Sequence, residues 1–203
     1  MEPTTEIRRL YDVMPASGRM MTKIASKPEQ AKVIEATFPL PWSQERPITI
    51  NFDLWRRLTK PQRDLILLRA VSWLTGVKWF RPDIYQGVAV AGLLGAIVES
   101  VQADLVGIVV ASGLTGMAVT RIWRQNRSSE SELNADEAAI KIALRRGYSE
   151  TEAAQHLISA IEAVAKIEGR SSLNFTELVR SQNLRAIAGL SNVGVPQSYK
   201  KSN

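Results

Sequence analysis

Between Tyr85 and Trp123 the chain runs through two apolar stretches that face opposite ways along the sequence. GVAVAGLLGAIV spans 87–98 and LVGIVVASGLTGMAV spans 105–119, with the polar segment Glu99 to Asp104 between them. With its tails each run reaches about 18–20 residues, near the length a helix needs to cross a bilayer. The flanks fit a two-pass hairpin over 82–123. Lys78 and Arg81 precede the first run, Arg121, Arg124 and Arg127 follow the second, and the connecting turn carries Glu99 and Asp104 without a base. Basic residues stay on the cytoplasmic side, so both termini are expected in the cytoplasm. Trp79, Phe80, Tyr85 and Trp123 stand at the level of those bases, as an aromatic belt does. Small residues recur four apart, at Gly87, Ala91 and Gly95 and at Ser112, Gly116 and Thr120, a spacing that lets helices approach closely in lipid. The alternative is a soluble domain with the hairpin buried inside it, because Ala and Gly leave both runs only moderately apolar.

Without the hairpin roughly 160 residues remain, enough for one domain with a real core. The formal charge is +6 and the pI about 9.8. Bases are scattered and mixed with acids, with no run of five, so an anionic lipid surface is the expected partner and nucleic acid is not. Cysteine is absent, which excludes disulfides, iron–sulfur clusters and thiolate zinc sites. The first residues lack the apolar core of a signal peptide, leaving insertion to the internal hairpin.

Outside the hairpin the pattern is mainly helical. A short helix is expected over 4–14, ended by Pro15, Ser17 and Gly18. Strand character follows at 32–38 and 47–52, with Pro39, Pro41 and Pro47 confining these segments to edges or turns. A helix over 60–74, entered through Thr59 and Pro61, is apolar around much of its surface and reads as buried and central. After the hairpin, three helices open on the pairs Ser129/Glu132, Ser149/Glu152 and Asn174/Glu177, which have capping-box spacing. Gly147, Gly169 and Gly189 close them, and Leu178, Leu184 and Ile187 are the expected inward residues of the last. The segment 191–203 reads as a flexible tail.

Strand pair, buried helix, hairpin and a helix opening on Glu132, Ala135, Asp136 and Ala139 together resemble the integral-membrane zinc metallopeptidases of the HtpX and prenyl-protease type. In those enzymes a later helix with the pattern E-x-x-A-D-x-x-A supplies the third zinc ligand, and HExxH lies on the buried helix. Here Arg69 falls where the first histidine belongs, Ala70 at the catalytic glutamate and Trp73 at the second histidine. A zinc site needs two neutral imidazoles on one helix face and a carboxylate beside the metal-bound water. Arginine stays protonated and repels a dication, and the chain holds one histidine, His156, flanked by Gln155 and Leu157 on a half-exposed helix face. The remnant motif is therefore Arg69, Ala70, Trp73, Glu132 and Asp136, and no catalytic, metal or cofactor-binding residue is expected. An ion pair between Arg69 and Glu132 would replace the missing metal charge.

A more extensive resemblance is to uncharacterised cyanobacterial proteins sharing one domain of unknown function. It is carried by MEPTTEIRRLYDVMPASGRM, INFDLWRRLTKPQRDL, LRAVSWLTGVKWF, ELNADEAAI, RRGYSETEAAQHL and FTELVRSQNLRAIAGLS. The two resemblances imply an α+β, mainly helical fold. A degenerate zincin-like domain over 21–190 would follow an N-terminal helix or arm at 1–20 and carry the transmembrane hairpin as an insertion. They imply a non-catalytic pseudopeptidase in a thylakoid or plasma membrane, binding another membrane protein in assembly or quality control, and compatible with a homo-oligomer. The competing expectations are a soluble basic binding module, or an enzyme using Glu132 and Asp136, with His156, for unrelated chemistry.

Overall fold

The computed structural model describes residues 2–38, 45–76 and 129–191, with the isolated positions 91, 94, 113, 117 and 120. The chain divides into two units, one formed by 1–77 with 129–202 and one by 78–128. The expected hairpin at 82–123 falls in the second unit and, those five positions apart, lies outside the described residues, as does the expected tail from 192 onward. Among the described residues no helix is long and apolar enough to cross a membrane.

The first unit is α+β and mainly helical. Helix α1 spans Pro3–Val13 and α2 spans Ala16–Met21. Strands β1 (Thr22–Ser26), β2 (Ile34–Ala36) and β3 (Arg46–Ile50) form one sheet in the order β1-β3-β2. β1 runs parallel to β3 with Ile24 opposite Ile48, and β2 runs antiparallel to β3 with Ala36 opposite Ile48. A single turn, α3 (Phe52–Trp55), leads into α4 (Lys60–Gly76). After the insertion come α5 (Ser129–Leu144), α6 (Glu150–Ile167) and α7 (Phe175–Ile187).

Two apolar clusters meet at α4, which explains why that helix is apolar on more than one side. Leu67, Ala70, Val71 and Leu74 face Leu10 of α1, Met14 just after it, Trp55, and the sheet residues Ile24, Ile48 and Ile50. Leu65 and Leu68 face Ala139, Ile140 and Ala143 of α5 and Leu157 and Ile161 of α6. The helix predicted over 60–74 is thus the central element, with the sheet and α1 on one side and the three late helices on the other. The Ser149/Glu152 and Asn174/Glu177 boxes are both formed, each with reciprocal hydrogen bonds. Gly147, Gly169 and Gly189 follow the three helices with φ of 92°, 72° and 70°, the left-handed turn that ends a helix cheaply only at glycine. In the first box, the side chain of Ser129 lies outside the described atoms.

Several expectations need correction. The strand pair is a three-stranded sheet, α2 stands where only breakers were read, and β1 stands where no element was expected. Pro15 is the N-cap residue of α2, and Gly18 is needed because a Cβ there would fall 2.5 Å from Val71 Cγ1. Pro47 sits in the central strand, not at an edge. β2 ends opposite Ile48, so Pro47 has a strand on the β1 side alone and its missing N–H costs less there. Phe52 begins α3 instead of ending a strand, because the Asn51 side chain accepts from the Asp53 and Leu54 amides and turns the chain. The N-terminal segment, expected as a helix or arm, is helical over Pro3–Val13 and is built into the core through fully buried Leu10 and Met14. Leu178 is 55 % exposed, since the inward face of α7 is set by Arg180 and Leu184. A zincin-like core is not supported by this small mixed sheet.

Candidate functional site

The charged residues singled out in the sequence converge between α4, α5 and α7. Arg69, on α4, pairs with Glu132 in the first turn of α5, so the expected ion pair is present. One turn further along α5, the Asp136 carboxylate has no exposed surface. It accepts two hydrogen bonds of 2.8 Å from Nε and an NH2 group of Arg180 on α7. Asp136 also lies 3.8 Å from Arg69 Nε, which makes no hydrogen bond among the described residues. A buried carboxylate is tolerable only when matched in this way, because either charge left alone would cost several kcal/mol.

A second carboxylate–guanidinium group continues the line. Arg170, just beyond α6, donates two hydrogen bonds of 2.7 and 2.8 Å to Glu177 and one of 3.1 Å to Glu168. Glu177 also accepts from the Asn174 amide as the capping residue of α7, and Glu168 accepts from the Val33 amide before β2. One carboxylate thus caps a helix and anchors an arginine, while the other ties the end of α6 to the sheet edge. Burial pushes the Glu177 carboxyl up, but Arg170, the Asn174 amide and Arg180 outweigh it and hold it below its ordinary range. Arg170 is raised by the same Glu177 contact. Burial first, and the Arg180 charge second, push the Arg69 guanidinium down to about 9, against the pull of Asp136 and Glu177.

These groups line a cavity of about 510 Å³ bounded by β2, α4, α6 and the start of α7. Its cationic side chains are Lys32, Arg69, Arg170 and Arg180, its carboxylates Glu168 and Glu177. Ile34, Ile66, Leu157, Ile161 and Val164 supply an apolar wall. Glu132 and Asp136 are not part of the lining; they hold Arg69 and Arg180 by their other sides.

The remaining remnant positions do not converge on a reaction centre. Ala70 is buried against the sheet-side core and also reaches the cavity. Trp73 packs edge-on against Phe38, with ring centroids 5.9 Å apart and planes at 68°. His156 is half-buried, stacked edge-on against Tyr148 at 6.1 Å, and is not among the cavity residues. Among the described residues no three His, Asp or Glu side chains are grouped to hold a metal. Sequence reading missed Arg180 and Arg170. The signal for Arg180 was its spacing, three after Glu177 and four before buried Leu184, which puts it on the inward face of α7.

A second buried network secures α1. Glu6 is 6 % exposed and accepts from Arg9, from Arg63 at 2.8 Å and from Trp55 Nε1 at 3.2 Å. Arg9 also reaches Asp64 at 2.5 Å, and Asp64 accepts the Tyr148 hydroxyl at 3.1 Å. Every member has a structural partner, so this cluster reads as a brace for α1.

Comparison with known proteins agrees with the wider of the two resemblances. A thylakoid membrane protein of Synechocystis sp. (strain ATCC 27184 / PCC 6803 / Kazusa) is 28% identical over 168 residues, covering 79% of this chain and 76% of that protein. No solved structure matches the chain. Neither match supports the metallopeptidase resemblance. The model of the family described as protein of unknown function DUF3318 matches residues 8–148, from within α1 past the end of α5 and including Arg69, Glu132 and Asp136; the chain belongs to that family.

Proposed function

We propose that this protein is a non-catalytic, membrane-associated scaffold that binds another protein in the assembly or quality control of a membrane complex. The observation that carries the reading is the matched cluster Arg69–Glu132 and Asp136–Arg180. A general acid or base must be free to exchange a proton with a substrate, and a metal ligand must offer an open lone pair. Here the two carboxylates of the E-x-x-A-D segment are each held by a guanidinium. Arg69, Ala70 and Trp73 offer no imidazole or carboxylate for a metal on α4, which supports a reading without zinc chemistry. The name of the Synechocystis relative supports a thylakoid setting. The apolar runs at 87–98 and 105–119 support anchoring by a two-pass hairpin with cytoplasmic termini.

Fractionation of the full chain tests the setting. It should stay with the membrane pellet through a sodium carbonate wash and be released by detergent, together with a defined crosslinked membrane protein. Recovery in a detergent-free supernatant would favour a soluble module with a buried hairpin. Stoichiometric zinc in the purified protein, with peptide cleavage abolished by a chelator, would overturn the non-catalytic reading.

A further inference from the structure

We infer that the cavity between β2, α4, α6 and α7 is a strand-addition groove, in which an extended, uncharged segment of a partner protein pairs antiparallel with the outer edge of β2. This deepens the scaffold reading above and rests on it, since it names the surface by which the scaffold holds its partner. The edge comes first. β2 is the end strand on its side of the sheet. The Asn51 amide donates to the Val33 carbonyl at 3.1 Å, and Glu35 stands opposite Thr49. The Val33 carbonyl and the Glu35 backbone groups therefore turn toward β3, and Ile34 and Ala36 turn theirs outward. Among the described residues no backbone group pairs with that outer edge. An unpaired edge of this kind is a template for another extended chain.

The space beside that edge is a cavity of about 510 Å³, within the range of built binding sites. α6 is tied to the start of β2, where Glu168 accepts from the Val33 amide at 2.9 Å. Past that tie, Ile34 and Ala36 share the cavity with Ala160, Ile161 and Val164 of α6 and Ile66 of α4. A residue paired directly opposite Ile34 puts its side chain on the same face of the sheet, against this apolar wall. Charge decides what that side chain is. Each cation of the lining already has a carboxylate: Lys32 has Glu35, Arg69 has Glu132, Arg170 has Glu168 and Glu177, and Arg180 has Asp136. A charged side chain entering the groove would lose water without gaining a partner. The complement of the groove is therefore a segment without charge, carrying an apolar residue at every second position. The three residues of β2 span about 10 Å, so the contact is short and suits a reversible hold.

The test adds the peptide acetyl-Lys-Thr-Val-Thr-Val-Thr-Val-Thr-Lys-amide, labelled with fluorescein on its last lysine, to the full chain in phosphatidylcholine nanodiscs. Empty nanodiscs are the blank, and the readouts are anisotropy and amide hydrogen exchange. The expected result is saturable binding with slowed exchange at the Ile34 and Ala36 amides. N-methylation of the valine amides, which face β2 in this pairing, should weaken binding about ten-fold, as the loss of two backbone hydrogen bonds implies. N-methylation of the threonine amides, which face away, should change it by no more than about two-fold. Replacing the central valine of the peptide by aspartate should weaken it about ten-fold. Ala36→Pro removes an outward N–H without touching the ladder to β3 and should act like the valine methylation; should that variant not fold, the two methylated peptides decide. Equal binding of those two peptides overturns the proposal in favour of plain apolar adhesion, as does the absence of saturable binding above the blank. Ile34 and Ala36 amides protected before any peptide is added overturn it too: a two-copy particle assigns the edge to a second copy, a one-copy particle to the chain itself. A chain that crosslinks its membrane partner but ignores the peptide loses the groove alone, so failure here is distinct from failure of the scaffold reading.

Discussion

Replacing Arg180 by methionine is the sharpest test of the buried charge cluster. Methionine keeps much of the unbranched stem and removes the guanidinium, leaving a fully buried Asp136 that has lost both of its 2.8 Å hydrogen bonds. Its remaining cation is Arg69, with Nε 3.8 Å away and the opposite side of the guanidinium engaged by Glu132. Breaking one partner of a buried pair costs about 3–5 kcal/mol. Two charge-assisted hydrogen bonds at about 1.5–3 kcal/mol each sum to about 3–6 kcal/mol, which overlaps that range. For a domain of this size that corresponds to a fall in Tm of about 6–20 °C. Lys23→Ala, which removes the exposed ion pair with Glu45 at 3.4 Å, should cost no more than about 1 kcal/mol. Adding Asp136→Asn to Arg180→Met should recover a large part of the loss, because the stranded charge is gone. Denaturant titration followed by circular dichroism at pH 7 measures all three. A single-variant loss below about 1 kcal/mol, or no recovery in the double variant, would refute the claim that Asp136 depends on Arg180.

Gly18→Ala should destabilise by about 1–3 kcal/mol through overpacking against Val71, and Val71→Ala in the same chain should return part of it; thermal melts of the single and double variants decide this. Glu6 is pushed up by burial, but Arg9, Trp55 and Arg63 bring it below the ordinary value of 4.5. Its stabilising share is therefore complete above pH 4.5 and lost as pH falls through the lower folded-state value, so a Tm-against-pH series should flatten below pH 4.5 in Glu6→Gln. Burial and the Asp64 charge push the Tyr148 phenol up to about 12. Its contribution to stability persists below pH 10 and fades between pH 10 and 12, and absorbance at 295 nm should show one late-titrating tyrosine that vanishes in Tyr148→Phe. The same substitution should cost about 1.5–3 kcal/mol for the hydrogen bond to a charged acceptor.

Helices were legible where chemistry marks their ends. The Ser149/Glu152 and Asn174/Glu177 pairs and the three closing glycines place α6 and α7 within a residue or two of the spans read from sequence. α4 was legible as central because Leu65 and Leu68 point one way and Leu67 and Val71 the other. The sheet was harder. β1 is five residues with only Ile24 as a large apolar member, and Pro47 argues locally against a central strand. That position becomes acceptable only through the register of β2, a long-range fact. In the candidate site, Arg69, Glu132 and Asp136 were found because a resemblance fixed their positions, and the Arg69–Glu132 pair follows from charge matching. Arg170 and Arg180 looked like ordinary solvated helix charges. Their burial depends on how α7 and the end of α6 pack, which no short window of sequence encodes.

The Arg146 guanidinium donates to the Val13 and Met14 carbonyls at 3.1 and 2.9 Å, joining residues that lie more than 130 positions apart, on opposite sides of the insertion. That stitch gives synthesis a fixed order. When the first 77 residues have left the ribosome, Leu65, Leu68 and Asp64 still lack the helices and the tyrosine that will cover them. Half a core must wait while residues 78–128 are made. The nascent chain carries bare apolar surface throughout that interval, when a chaperone would find it most readily.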